Sequence, residues 1–219
     1  MKDPDLKLSQ GAKLLLIGDS VTDCNRARPV GEGLFAAMGE GYVRDVASSL
    51  AVRVPGHRIR VVNMGNSGDT VRDLEKRWQS DVIDLEPDWL SIMIGVNDVW
   101  RQFDSPLQPS LGVPLKEYEA TLESLVAAVK PSLKGLVMMT PYYIEENSAD
   151  RMRARMDEYG AAVKRIAVRQ GAVFVDTQAA FNEFLNHYHS SYIAWDRIHP
   201  NHVGHMVLAR AFLEAIGLH

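Results

Sequence analysis

In Leu14-Leu15-Leu16-Ile17-Gly18-Asp19-Ser20, an unbroken apolar run leads straight into a glycine, an aspartate and a serine. Such a run suits a strand covered on both faces, as in a parallel sheet packed between helices, and it sets the Ser20 hydroxyl at the strand's carboxyl end. Open α/β sheets keep their ligand sites at that edge. Four further runs have the same character: Arg60 to Met64, Trp89 to Ile94, Gly135 to Thr140 and Ala172 to Asp176. Between them apolar residues recur at helical spacing, Val71, Leu74, Trp78, Val82 and Leu85 in one segment and Tyr118, Leu122, Leu125, Val126 and Val129 in another. Each makes one stripe that can face a sheet. Thr70-Val71-Arg72-Asp73 has the form of a capping box, and Gly171 stands where a helix before the last strand would stop. Alternating strands and helices predict an α/β three-layer sandwich on a parallel sheet.

No repeat or linker divides residues 1–219, so a single domain is expected. Gln102 to Pro114 is proline-rich and reads as a surface loop beside the third strand. Gly31-Glu32-Gly33 and Gly39-Glu40-Gly41 fit neither a dinucleotide fingerprint nor a P-loop, and read as a flexible segment before the first helix. The chain is 46% hydrophobic and 24% charged, with a formal charge of −4. That balance offers no basic face to nucleic acid, and no apolar run approaches the ~18 residues that cross a bilayer. The opening Met1-Lys2-Asp3-Pro4-Asp5-Leu6-Lys7 lacks the apolar core of a secretory signal, which predicts a cytoplasmic protein. A lone Cys24 excludes an internal disulfide and reads as a small buried thiol rather than a nucleophile.

Far from Ser20 in sequence, Asp196-Arg197-Ile198-His199-Pro200 supplies a carboxylate and an imidazole three residues apart, just before a C-terminal helix starting near Pro200. A serine hydroxyl is a weak nucleophile at neutral pH and needs a base within hydrogen-bond reach, a task that suits a histidine. His199 is the candidate base, and Asp196 would accept the other ring N–H and fix the tautomer. The turns Gly65-Asn66-Ser67-Gly68 and Gly95-Val96-Asn97-Asp98 follow the second and third strands, so they converge with Ser20 on one sheet edge. The backbone N–H groups of Ser20 and Gly68 and the side-chain amide of Asn97 are the candidate oxyanion donors. Glycine at 68 would let the backbone approach substrate without a Cβ clash.

The blocks Gly18-Asp19-Ser20, Asn63-Met64-Gly65-Asn66-Ser67-Gly68, Gly95-Val96-Asn97-Asp98 and Asp196-Arg197-Ile198-His199-Pro200 resemble those of the SGNH, or GDSL-type, hydrolases in order and spacing. Val21 departs from that family's leucine at a non-catalytic position. The resemblance implies a flavodoxin-like sandwich with five parallel strands. The flanking residues in Gly18 to Cys24, Ile94 to Gln102 and Ala194 to Pro200 look like the intracellular bacterial xylan acetylesterases of that superfamily. This implies an acetylated xylo-oligosaccharide as substrate, an acetyl-serine intermediate, no cofactor and a homo-oligomer. Trp100 and Trp195, beside the expected site, could stack on a pyranose or pack in the interior or at an interface; Tyr142 and Tyr143 read as structural.

Competing readings are a lysophospholipase or thioesterase of the same fold and, from another class, a carbohydrate-binding protein without turnover. Ser67 is a rival nucleophile but does not form a Gly-x-Ser-x-Gly elbow, and reads as a turn residue. Asp19 and Asp98 read as turn aspartates. His199, His202 and His205 recur at three-residue steps, but each step rotates about 60° around a helix and splays the outer two, so no metal site is expected. His202 and His205 read instead as helix-surface or site-rim residues. Whether Arg44, Arg101 and Arg197 touch substrate or pair with acids stays open.

Overall fold

A computed structural model describes residues 5–219; Met1 to Pro4, part of the stretch read against a secretory signal, lie outside the described residues. Five strands form one sheet: β1 (Lys13–Gly18), β2 (Arg60–Asn63), β3 (Trp89–Met93), β4 (Gly135–Met139) and β5 (Val173–Val175). All pairings are parallel and the spatial order is β2-β1-β3-β4-β5, the flavodoxin-like order. The order reverses direction between β1 and β3, so a crevice opens beyond their carboxyl ends.

Alternation along each strand divides the apolar side chains between two cores. Leu14 and Leu16 join the core beneath α2 (Tyr42–Arg53), α7 (Thr177–Leu185) and α8 (His202–Ala215). Leu15 and Ile17 join the opposite core beneath α3 (Val71–Trp78), α5 (Leu115–Val129) and α6 (Arg151–Gln170). The short α1 (Ser20–Asp23) directly follows β1, and α4 (Val96–Asp104) follows β3. The capping box at Thr70 is formed, with Asp73 Oδ2 accepting from the Thr70 backbone N–H at 3.0 Å. Gly171 ends α6 with φ +60°.

Several sequence expectations are corrected. The stripe from Val71 to Leu85 is not one α-helix, because a single π-helical turn, Gln79–Ile83, follows α3. Asn97, Asp98 and Gln102 lie in α4, so the loop begins only at Ser105. Pro200 precedes the cap of α8, whose N-cap is Asn201. The glycine-rich segment before α2 is engaged with the body of the protein: Gly31 pairs with Asn63, and Gly39 sits at φ +83° against the carbonyls of Asp23 and Cys24. No helix among the described residues is long and apolar enough to cross a membrane.

Candidate active site

Ser20 is the first residue of α1, and Asp19 caps that helix by accepting from the Val21 N–H at 3.0 Å. Among the described residues, no hydrogen bond within the protein uses the Ser20 N–H, as expected for a first-turn donor. Ser20 Oγ lies 2.8 Å from His199 Nε2, and His199 Nδ1 lies 2.6 Å from Asp196 Oδ2. An ionised Asp196 can only accept, so Nδ1 carries the ring proton and Nε2 presents its lone pair to the Ser20 hydroxyl.

The loop makes this spacing work by wrapping around Asp196. Its Oδ1 accepts from the N–H groups of Ile198 and His199 at 2.9 and 2.8 Å. Arg197 takes a left-handed φ of +63°, which turns the chain back so that His199 meets the carboxylate. Partial burial raises the Asp196 carboxyl, but the His199 ring and the two backbone N–H groups outweigh it and hold the group below its ordinary value. The loop is anchored from beneath: the buried Tyr142 hydroxyl donates to Ile198 O at 3.0 Å, and Arg197 Nη1 meets Glu145 Oε2 at 2.5 Å.

The second block turns at Gly68, with φ +88°. A Cβ there would meet nothing within 4 Å in the protein, so backbone conformation rather than crowding demands glycine. The Gly68 N–H is also unused within the described protein. Asn97, in the first turn of α4, donates one amide N–H to Asp69 O at 2.9 Å, and its other N–H remains for a ligand. Ser67 Oγ donates to Asp23 Oδ2 at 2.8 Å and is thereby turned away from nucleophilic use.

Two buried carboxyls stand beneath these donors. Burial pushes Asp19 and Asp98 each up to about 7. Asp98 Oδ1 accepts from the Val71 N–H at 3.0 Å, tying α4 to the start of α3, while its Oδ2 has no partner. Burial thus favours the neutral form of Asp19, which lessens the negative charge beside a developing oxyanion.

The Trp100 ring packs edge-on against His199, with centroids 5.9 Å apart, and carries the Arg101 guanidinium 4.6 Å from its centroid. Trp195 is 94% exposed, so interior packing does not explain it. A cavity of about 280 Å³ opens beside Gly68, walled by Thr70, Arg72, Lys76 and Arg101. A larger one, about 580 Å³, lies between α2, α7 and α8 around Arg44, Phe184 and Met206, and none of Ser20, Asp196 and His199 lines it.

His202 is exposed, as read, but His205 is buried. Its Nδ1 accepts from the Tyr42 N–H at 3.1 Å and its Nε2 faces Cys24 Sγ at 3.5 Å. Burial lowers His205 to about 4, and Cys24 is half-buried with its thiol pushed up, also by burial. The pair is thus neutral packing. Arg44 pairs with Asp45, Arg101 with Asp104 and Arg197 with Glu145. Sequence reading overlooked Arg26, which is buried, and Arg77, which is half-buried, both set against main-chain carbonyls of the second block: Arg26 Nε donates to Gly65 O at 2.6 Å and Arg77 Nη1 to Met64 O at 2.7 Å. Neither lies in a recognisable pattern; only unexpected burial of a cation marks them.

Comparison with known proteins gives the family and the fold. Residues 16–207 match the GDSL-like Lipase/Acylhydrolase family. An acetylxylan esterase from Geobacillus stearothermophilus is 58% identical over 212 residues, 97% of each chain. A crystal structure of an acetylxylan esterase from Geobacillus stearothermophilus superposes with a TM-score of 0.97 at 57% identity, covering 98% of both chains. An alpha/beta hydrolase enzyme from the metagenome of Lake Arreo, Spain, is 53% identical with a TM-score of 0.96, over 97% of this chain and 98% of that one. With its four blocks gathered at one sheet edge and this likeness along almost its whole length, the chain belongs to the GDSL-like lipase/acylhydrolase family.

Proposed function

We propose that this protein is a serine esterase that removes O-acetyl groups from xylan-derived oligosaccharides through an acetyl-serine intermediate. The hydrogen-bonded chain from Ser20 Oγ through the His199 ring to Asp196 carries the reading, with distances of 2.8 and 2.6 Å. The likeness to an acetylxylan esterase supports the substrate class.

Ser20 Oγ adds to the acetyl carbonyl carbon as its proton passes to His199 Nε2, and the carbonyl π pair moves onto oxygen. The N–H groups of Ser20 and Gly68 and the amide of Asn97 then donate to that oxygen; each such donor contributes about 2.7–4 kcal/mol to lowering a barrier of this type. Collapse breaks the bond to the sugar oxygen, which takes the proton from His199. Water, deprotonated by His199, then attacks the acetyl-serine carbonyl; the bond to Ser20 Oγ breaks, Oγ takes the proton back from His199, and acetate leaves. Asp196 steadies the imidazolium at both stages. Trp100, held against His199 and bordering the 280 Å³ cavity through Arg101, offers a face for the sugar.

The reaction needs no cofactor or metal, and we place it in the cytoplasm. A homo-oligomer also belongs to this reading, supported by the exposed Tyr188, Tyr192 and Trp195. Light scattering measures the assembly directly. The deciding experiment compares wild type with Ser20→Ala on acetylated xylo-oligosaccharides and on p-nitrophenyl acetate, butyrate and octanoate. Acetate release abolished by the substitution, with rates falling as the acyl chain lengthens, is expected. A preference for octanoate would move the substrate to lipids or thioesters, and inactivity on every ester would leave a binding protein.

A further inference from the structure

The ends of β1 and β2 and the Gly68 turn meet at one guanidinium. Arg77, in the last turn of α3, has 16% of its side chain exposed and Asp69 has 7%. Arg77 Nε donates to Asp69 Oδ2 at 2.6 Å, Nη1 to Met64 O and Asp81 Oδ2 at 2.7 and 2.8 Å, and Nη2 to Gly18 O at 3.1 Å. Gly18 stands two residues before Ser20, and Asp69 directly follows Gly68. Asp69 is itself a junction: its Oδ1 accepts from Asn66 Nδ2 at 2.7 Å and its carbonyl from Asn97 Nδ2 at 2.9 Å. The three candidate oxyanion donors come from three strand ends, and all three segments reach the Arg77–Asp69 pair through these bonds. The π-helical turn after α3 brings Asp81 to the same guanidinium, and such turns recur at functional sites.

We propose that Arg77 is a positioning residue of the esterase reaction, holding the Gly68 N–H and the Asn97 amide in register with Ser20 through Asp69 and the Gly18 carbonyl. The inference rests on the reading of Ser20, Gly68 and Asn97 given above. An oxyanion hole acts only if its donors stand ready before charge develops, and displacement by about 1 Å costs roughly 100-fold in rate. A planar fork with fixed donor directions can hold carbonyls from two strands and a carboxylate at once. A lysine ammonium carries the same charge but not that geometry.

A purely structural cation would alter stability and leave turnover per folded molecule alone. The test therefore measures kcat and KM for p-nitrophenyl acetate, per mole of folded protein, in wild type, Arg77→Lys, Arg77→Gln and Ser20→Ala. It adds inhibition by phenylboronic acid, whose boron takes up a serine oxygen as a tetrahedral anion. Arg77→Lys is expected to lower kcat roughly 10–100-fold with KM changed less than about twofold, to weaken phenylboronate by a similar factor, and to retain more activity than Arg77→Gln. Asn66→Ala removes only the bond to Asp69 Oδ1 and keeps the test open should Arg77→Lys fail to fold, with an expected drop in kcat of roughly three- to tenfold. Unchanged kcat and phenylboronate affinity in the folded variants would overturn the positioning role. Full activity in Ser20→Ala would instead overturn the site reading on which it rests.

Discussion

Each of His199 and Asp98 has a chemistry that follows from one or two contacts. Because Asp196 accepts the Nδ1 proton, His199 is held in the only tautomer that can deprotonate Ser20. His199→Ala and Ser20→Ala should each lower kcat by roughly 10⁵–10⁶-fold, and Asp196→Ala by roughly 10⁴-fold, since the base survives without its orienting partner. Steady-state rates on p-nitrophenyl acetate, corrected for background hydrolysis, check the order. Asp98 makes a separate prediction about pH. Its carboxyl titrates near 4 when unfolded and, pushed up by burial, at about 7 in the fold. Its contribution to stability is therefore full below pH 4 and is lost as pH rises to 7. Asp98→Asn keeps an acceptor for the Val71 N–H and removes this loss, so its stability relative to wild type should rise by about 2–4 kcal/mol between pH 4 and 8. Urea unfolding at both pH values measures the change; equal slopes would show that Asp98 is ionised throughout. The identities of Ser20, Gly68, Asn97, Asp196 and His199 could be read from sequence because each stands in a short block at a strand end or before a helix. The burial of His205 could not, since it depends on Tyr42 and Cys24, distant in sequence.

The loop from Asp196 to His199 is the element on which the reaction depends most, and it is held by contacts from other segments. Tyr142 follows β4 and spans to Ile198 O, while Ile144 N donates to Arg197 O at 2.9 Å. Tyr142→Phe leaves a buried carbonyl without its partner and should cost about 1–3 kcal/mol in urea unfolding, with kcat reduced more than KM is raised. An unchanged kcat would mean that Asp196 and the Arg197 turn hold His199 by themselves. Strands were easy to recognise because buried parallel strands are short apolar runs. The boundaries of α3 and α4 were not, because Gln79 to Ile83 and Val96 to Asp104 are placed by tertiary partners. Asp81 is drawn to Arg77, whose guanidinium is held by the distant carbonyls of Met64 and Gly18, and the Tyr118 hydroxyl donates to Ile94 O at 2.8 Å beside Gly95, which opens α4 at φ +130°.

For the whole molecule, the sheet's two faces carry independent apolar cores, so a truncation on either should act globally and leave the site chemistry untouched. Leu15→Ala, on the α3 side, is expected to cost about 2–5 kcal/mol, with kcat per folded molecule within about twofold of wild type. Thermal unfolding alongside active-site titration tests this. Activity should also be unchanged in EDTA, because the mechanism places no step on a metal; loss restored by zinc would refute it. What the sequence determined by itself was local: which runs are strands, where helices begin at Thr70 and stop at Gly171, and which residue types could attack, accept and donate. Periodicity and capping depend on residues within a few positions of one another, so they are legible in one dimension. Tertiary structure alone decided that 179 residues of separation close to 2.8 Å between Ser20 and His199, that Asp98 is cut off from water, and that Arg77 joins the ends of β1 and β2 and, through Asp69, reaches Asn97 after β3. Those facts arise from packing two helical layers on a twisted sheet, where distance in space no longer follows distance along the chain.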